Sequence, residues 1–228
     1  MQLSTMLAFF QKGGMFMYPI LLVFIIGISI AVERWFQLAH IRSVNRKMWN
    51  KLYPMLINGK FTAVRQALGK DQSTISQMLG MGLARHSGAR RREDVEIAME
   101  EAMMEIIPRL EKRTPYVALL SNIATLLGLL GTIMGLIEAF TAVAAANPAE
   151  KADLLSASIS VAMNTTAFGL MAAIPMLLMH AKLISTTGQI VDSLEMASVK
   201  ALNSIATYQE SHKKREEPEP EEAGSEIV

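Results

Sequence analysis

Cysteine is absent from all 228 residues, so the chain has no disulfide, no thiolate metal ligand and no thiol nucleophile. Histidine is scarce: the four residues form no spaced pair, which argues against a His-based metal centre. HExxH, GxSxG and paired carboxylates are all missing from the apolar runs, so the chemistry of an intramembrane enzyme has no carrier. The expectation is a non-enzyme without a cofactor. Net charge is only +1, and by itself it identifies no partner. Charge of either sign is also missing from three long stretches. With 51% hydrophobic residues, the composition is too apolar for an ordinary soluble domain.

The most informative uncharged stretch is residues 154–179, LLSASISVAMNTTAFGLMAAIPMLLM. It exceeds the roughly 20 residues that cross ~30 Å of hydrocarbon as a helix. Yet it carries Ser156, Ser158, Ser160, Asn164, Thr165 and Thr166. Ser158, Ala162, Thr165, Gly169 and Ala172 follow at steps of four and three, which places small and hydroxyl side chains on one stripe with Thr166 beside it. Two readings stay open. The hydroxyls can bond back to backbone carbonyls while the small residues permit close packing. Alternatively, they form a polar track for ions or water along a helix bundle.

A second stripe matches the first. From Thr114 to Ile137 there is no charge, and apolar character resumes past Glu138 to Ala146. Along it Ser121, Thr125, Gly128, Thr132, Gly135 and Ala139 repeat the four-three spacing, and Gly131 with Gly135 forms a GxxxG pair that permits close backbone approach. Joined by the short polar loop Asn147 to Asp153, the two runs predict a transmembrane hairpin whose polar sides meet or line a common passage. Pro108 and Pro115 predict a bend or a helix restart at its entry. Glu138, near the far end, lies off the Thr132 stripe and reads as a snorkelling or loop-contacting residue.

The first uncharged run is Gly13 to Val32, GGMFMYPILLVFIIGISIAV. It lacks the features of a cleaved signal peptide and reads as a retained membrane helix. Leu3, Met6, Leu7 and Phe10 before it have helical spacing, suited to a short helix on the membrane surface. Between Arg34 and Arg113 the composition turns polar, with fifteen of the 22 Lys and Arg residues. Helical patterns continue from the first span through Trp35, Leu38 and Ile41, then recur at Lys60 to Leu68, Ile75 to Arg85 and Arg92 to Arg113, with Gly59, Gly69 and Ser87-Gly88 as breaks. Arg90, Arg91 and Arg92 followed by Glu93, Asp94 and Glu96 suggest a nucleic-acid or lipid-headgroup patch. A solvated helix start explains the run with less assumption, so no nucleic-acid partner is expected. Leu183, Ile190, Leu194, Ala197, Ala201 and Ile205 carry the last span onward as an amphipathic helix. The charged stretch from Lys213, KKREEPEPEEAGSEIV, is expected to be disordered.

Positive residues mark the cytoplasmic side. One lies before the first span and one in the 147–153 loop, against fifteen in the middle segment and five at the C-terminal end. The expected fold is therefore an all-α membrane protein with three transmembrane helices, long cytoplasmic helical extensions, N-terminus out and C-terminus in. Its expected segments are a periplasmic amphipathic stretch 1–12, spans 13–33, 114–146 and 154–180, a cytoplasmic helical domain 34–113, a periplasmic loop 147–153, a cytoplasmic helix 181–212 and a charged tail 213–228.

Gly128-Leu129-Leu130-Gly131-Thr132-Ile133-Met134-Gly135 in the second span and AMNTTAFGLMAAIP, residues 162–175, in the third carry a resemblance to the MotA/TolQ/ExbB proton-channel family, nearest its TolQ and ExbB members. The resemblance implies an inner-membrane homopentamer around two copies of a single-span ExbD/TolR/MotB-like partner whose membrane Asp carries the proton. It implies that the ion gradient drives relative rotation or rearrangement of the two subunits. It matches Thr132 and Thr166 to the family's pore-lining threonines, with Thr165, Ser158, Thr125 and Asn164 as further ion-path or partner-contacting candidates, and Gly128, Gly131, Gly135 and Gly169 as packing positions. One position departs: relatives carry Glu five residues before the third-span Thr, where this chain has Val161. The transported ion is expected to be H⁺, with Na⁺ left open. Hydroxyls do not ionise near neutral pH, so the titrating group must come from elsewhere. A non-conducting membrane scaffold is the competing reading.

Overall fold

The computed structural model describes residues 14–86 and 92–216. Among them every regular element is a helix: α1 Met17–Ile57, α2 Phe61–Leu68, α3 Thr74–His86, α4 Arg92–Glu111, α5 Thr114–Ala145 and α6 Lys151–Glu216. The expected surface segment 1–12, the Ser87-Gly88 break, Arg90, Arg91 and the tail from 217 lie outside the described residues. Residues Lys213 to Glu216, expected in the tail, continue α6 instead. Three helical stretches are long and apolar enough to cross a membrane, Met17–Ile57, Arg92–Ala145 and Lys151–Tyr208. The chain divides into two compact units, Met1–Leu38 with Glu111–Thr187 and Ala39–Leu110 with Gly188–Val228. Helices α1 and α6 contribute residues to both.

In the first unit α1, α5 and α6 form a three-helix bundle. The expected restart at the entry of the second span falls at Arg113, which adopts φ 66°, a left-handed conformation that halts α4. Pro115 then stands in the first turn of α5, where its missing N–H is no loss. Arg113 is fixed by a 2.8 Å hydrogen-bonded ion pair with Glu33 of α1. Beyond Ala145 the connection is short, because α6 already begins at Lys151 with Asp153 in its first turn, where an acidic side chain complements the helix dipole. Met17, Ile20 and Ala31 of α1 are fully buried. Most other large apolar residues of the three helices are exposed on the protomer, as Leu22, Leu126, Leu129 and Leu178 are, consistent with surfaces that meet lipid or another polypeptide.

The second unit packs the far part of α1, helices α2 to α4 and the far part of α6. Helix α1 outlasts its uncharged run because no Gly or Pro interrupts residues 28–53. It ends where Gly59 takes φ 66°, letting the N–H of Gly59 bond the carbonyl of Leu56 at 3.1 Å and that of Lys60 bond Met55 at 3.0 Å. This reciprocal closure satisfies two of the last carbonyls, and only Gly adopts it without strain. The edge of the Tyr208 ring fills the space beside Gly59. Buried Asn45 ties α1 to the start of α3: its amide nitrogen donates to Thr74 Oγ1 at 2.7 Å, and its oxygen accepts the Ile75 N–H at 3.3 Å. Ser73 caps α3, its Oγ accepting the Ser76 N–H at 3.3 Å. Asp71 in turn accepts hydrogen bonds from the Ser73 and Ser76 hydroxyls and the Ser73 N–H, and these hold its carboxyl below the usual aspartate range despite partial burial. Ile190, Leu194, Ala197, Ala201 and Ile205 are all buried, so the apolar face read from their spacing is the face α6 gives to this core.

Candidate ion-pathway hairpin

Helices α5 and α6 meet along the two stripes of small residues. A Cβ built at Gly169 would lie 2.8 Å from the Ala124 carbonyl oxygen and 2.9 Å from Gly128 Cα, and one at Gly135 would lie 2.9 Å from Ala162 Cβ. Thr165 Cγ2 stands 2.3 Å from where a Gly131 Cβ would be, so that methyl occupies the notch that glycine leaves. All four packing glycines therefore lie on the seam, with backbone against backbone at the 128–169 crossing. Close approach lets hydroxyls bond across it. Thr166 Oγ1 donates to the Gly128 carbonyl at 2.8 Å, and buried Ser121 Oγ donates to the Ala173 carbonyl at 2.8 Å. These are polar links between membrane helices of the kind that hold such pairs together.

Helix α1 covers one side of the seam. The turn leading into α1 stands against the same notches: Phe16 Cβ is 3.3 Å from the Cβ position of Gly131, and Val161 Cγ1 is 3.3 Å from that of Gly14. Met176 Sδ and Leu120 Cβ lie 2.3 and 3.5 Å from the Cβ position of Gly27. At 3.6 residues per turn, Leu120, Gly131 and Val161 sit roughly 100–140° around their axes from Thr132 and Thr166 respectively, all on the α1 side. Thr132 and Thr166 lie past the seam in the opposite sense. Because α5 and α6 run antiparallel, both threonines turn to the same open side. They also share a level, about 6 Å and 4.5 Å along their helices from the Gly128–Gly169 crossing. Thr125, two turns along α5, shares the Thr132 line, and Leu129, Leu136, Ile159, Met163 and Leu170 complete the open surface.

The other candidates are placed differently. Thr165 is buried in the seam and bonds back to the Val161 carbonyl at 3.0 Å. Ser158 is half-buried on the same stripe, one turn beyond Ala162. Asn164, two residues before Thr166, lies about 160° around α6 from it, away from the open side. Thr132 Oγ1 donates to the Leu129 carbonyl at 2.6 Å and Thr125 Oγ1 to that of Ser121 at 3.2 Å. Glu138 is exposed about 120° from Thr132, toward the side of α1. Val161 likewise stands on the α1 side, where it makes an apolar contact beside Gly14. Asn122 stands outside the four-three stripe. It is an exposed amide within the uncharged run, a polar residue in an apolar face, and that signal is visible in sequence. Among the described residues no cluster of His, Asp and Glu could hold a metal ion. The open surface offers hydroxyls and an amide, groups that orient water, an ion or a carboxylate without titrating.

A bundle of three helices able to span a membrane, with a glycine-tight, hydroxyl-bearing hairpin, defines a polytopic helical membrane protein. Residues 70–196 match the MotA/TolQ/ExbB proton channel family, more than half of the chain, and the protein belongs to that family. Three relatives show how far the likeness extends. It is 27% identical over 199 residues to an ExbB homolog named for biopolymer transport in Methanothermobacter thermautotrophicus, covering 85% of this chain and 68% of that one. It is 28% identical over 203 residues to an ExbB-like protein, also named for biopolymer transport, of Synechocystis, covering 84% and 75%. It is 36% identical over 86 residues to the Tol-Pal system protein TolQ of Haemophilus influenzae, covering 38% and 37%. Family membership and three spanning helices make it a multi-pass inner-membrane protein.

Proposed function

We propose that this protein is the channel subunit of an ion-gradient-driven motor in the inner membrane. In this reading five copies surround two copies of a single-span ExbD/TolR/MotB-like partner, and α5 and α6 face the partner's helix. The partner's membrane Asp takes and releases the proton. Thr132 and Thr166 hydrogen-bond that carboxylate as its charge changes, and the resulting preference for one arrangement over another turns ion flow into mechanical work on the partner. The N-terminus lies outside and both polar regions inside, in keeping with the distribution of Lys and Arg. The transported ion is H⁺, with Na⁺ the other candidate, and no cofactor takes part.

The observation that carries this reading is the shared open side: α1 seals one flank of the hairpin, while Thr125, Thr132 and Thr166 stand on the other. A hydrogen bond to a charged carboxylate contributes about 1.5–3 kcal/mol, equivalent to roughly a tenfold to hundredfold change in rate. Thr132→Val and Thr166→Val should therefore each lower gradient-driven activity at least about tenfold in membranes containing the partner, with assembly unchanged. Full activity in both variants with normal assembly would sink the assignment.

One observation favours a non-conducting scaffold. The hydroxyls of Ser121, Thr125, Thr132, Thr165 and Thr166 all donate to carbonyls, as packing alone requires. Each hydroxyl oxygen keeps lone pairs for water or an ion. Measured ion flux through the reconstituted complex separates the two readings.

A further inference from the structure

Asn122 lies on α5 about 15 Å along the helix from Thr132 and about 14 Å from Arg113, well within the uncharged run. It is exposed, and its side-chain amide makes no hydrogen bond among the described residues. Around the axis it is roughly 80° from Thr132 and about 120–180° from the seam glycines of α5, so it faces outward from the edge of the open side, away from both α6 and α1. Thr125 stands one turn further along, about 4.5 Å in rise, so amide and hydroxyl form a continuous polar patch. At the same level the open side of α6 shows Ile174 and Leu177, both exposed and apolar. An amide offers two donors and an acceptor, and leaving them unmet in hydrocarbon is costly. Something polar must therefore reach this level from the α5 flank of the open side.

We propose that Asn122 is a water-coordinating residue of the ion path, which continues along α5 from the Thr132–Thr166 level toward the Arg113 end of the membrane. This rests on the channel reading given above. The amide binds water through both its donor and acceptor groups and carries no charge, so it supports a hydrated passage without trapping the ion. The path is one-sided here, with α5 supplying the polar wall.

The absence of cysteine gives a clean probe. In membranes containing the full-length protein and its partner, the Asn122→Cys variant should react with a charged, membrane-impermeant maleimide at least tenfold faster than Ile26→Cys, an exposed mid-span position on α1. Thiol attack requires an ionised sulfur, which hydrocarbon does not support. Asn122→Leu should lower ion flux at least tenfold, whereas Asn122→Ser should retain most of it. Labelling of Asn122→Cys no faster than Ile26→Cys would overturn the proposal, as would full flux in an assembled Asn122→Leu complex. Failure here stays distinct from failure of the channel reading. If Thr132→Val and Thr166→Val lose activity while Asn122→Cys stays unlabelled, only the role of Asn122 falls. If both threonine variants keep full activity, the channel reading falls whatever Asn122 does.

Discussion

One methyl group added at Gly169 tests the architecture on which the site depends. The new Cβ would meet the Ala124 carbonyl oxygen at 2.8 Å and Gly128 Cα at 2.9 Å, and both are backbone atoms that cannot swing aside. Ordinary contact begins at 3.4 Å, so α5 and α6 must part by about 0.6 Å. The Thr166–Gly128 bond, now 2.8 Å, would stretch beyond useful length. Overpacking of this kind costs about 1–3 kcal/mol, and a lost hydrogen bond between membrane helices adds about 0.6 kcal/mol. Against this, Ala is favoured over Gly in a helix by about 1 kcal/mol. Gly169→Ala should therefore destabilise the protein by roughly 0.6–2.6 kcal/mol. Gly188→Ala is the control: nothing stands within 4 Å of its Cβ position, so only the gain in helix propensity remains. Unfolding of each full-length variant in mild detergent, titrated with a denaturing detergent and followed by circular dichroism, should shift the two midpoints in opposite directions. Equal upward shifts would refute the close crossing.

Two further variants test the second unit. Gly59→Ala places a side chain at φ 66°, with its Cβ 2.2 Å from the Tyr208 ring. It should lose about 1–2 kcal/mol in thermal unfolding, and Tyr208→Ala in the same chain should recover the steric share but not the conformational one. Asp71→Asn weakens the acceptor for Ser73 and Ser76 and should cost about 1 kcal/mol at pH 7. Because the folded-state pKa of Asp71 is lowered, its contribution is fully present above the ordinary value of 3.8 and fades as pH falls through the lower folded value. Wild type and Asp71→Asn should therefore converge in stability on acidification below 3.8, and a gap that persisted there would contradict the role given to the carboxylate.

Much of the hairpin was legible because membrane helices obey few rules. Uncharged runs longer than the bilayer core and stripes at three-four spacing identify spans and the side on which they pack. Element ends were less legible. The first span outlasts its uncharged run because helix propensity continues through residues 28–53 regardless of polarity, and α6 continues to Glu216 for the same reason. Arg113 resolved the entry of the second span into a restart, since a non-glycine residue in a left-handed conformation is a local outcome that composition does not announce.

Sequence by itself determined the class, the three spans, the small-residue stripes and the family, because each rests on the order of apolar, small and charged residues along one chain. Only the tertiary structure divided the stripe's residues between seam and open side. Thr165 and Thr166 are adjacent, yet one fills the notch at Gly131 and the other faces outward past Gly128, while Asn164 turns away from both. The physical reason is that a helix turns each residue by about 100°, so which hydroxyl stays open and which is buried depends on where the neighbouring helices stand, and that is a property of packing in three dimensions.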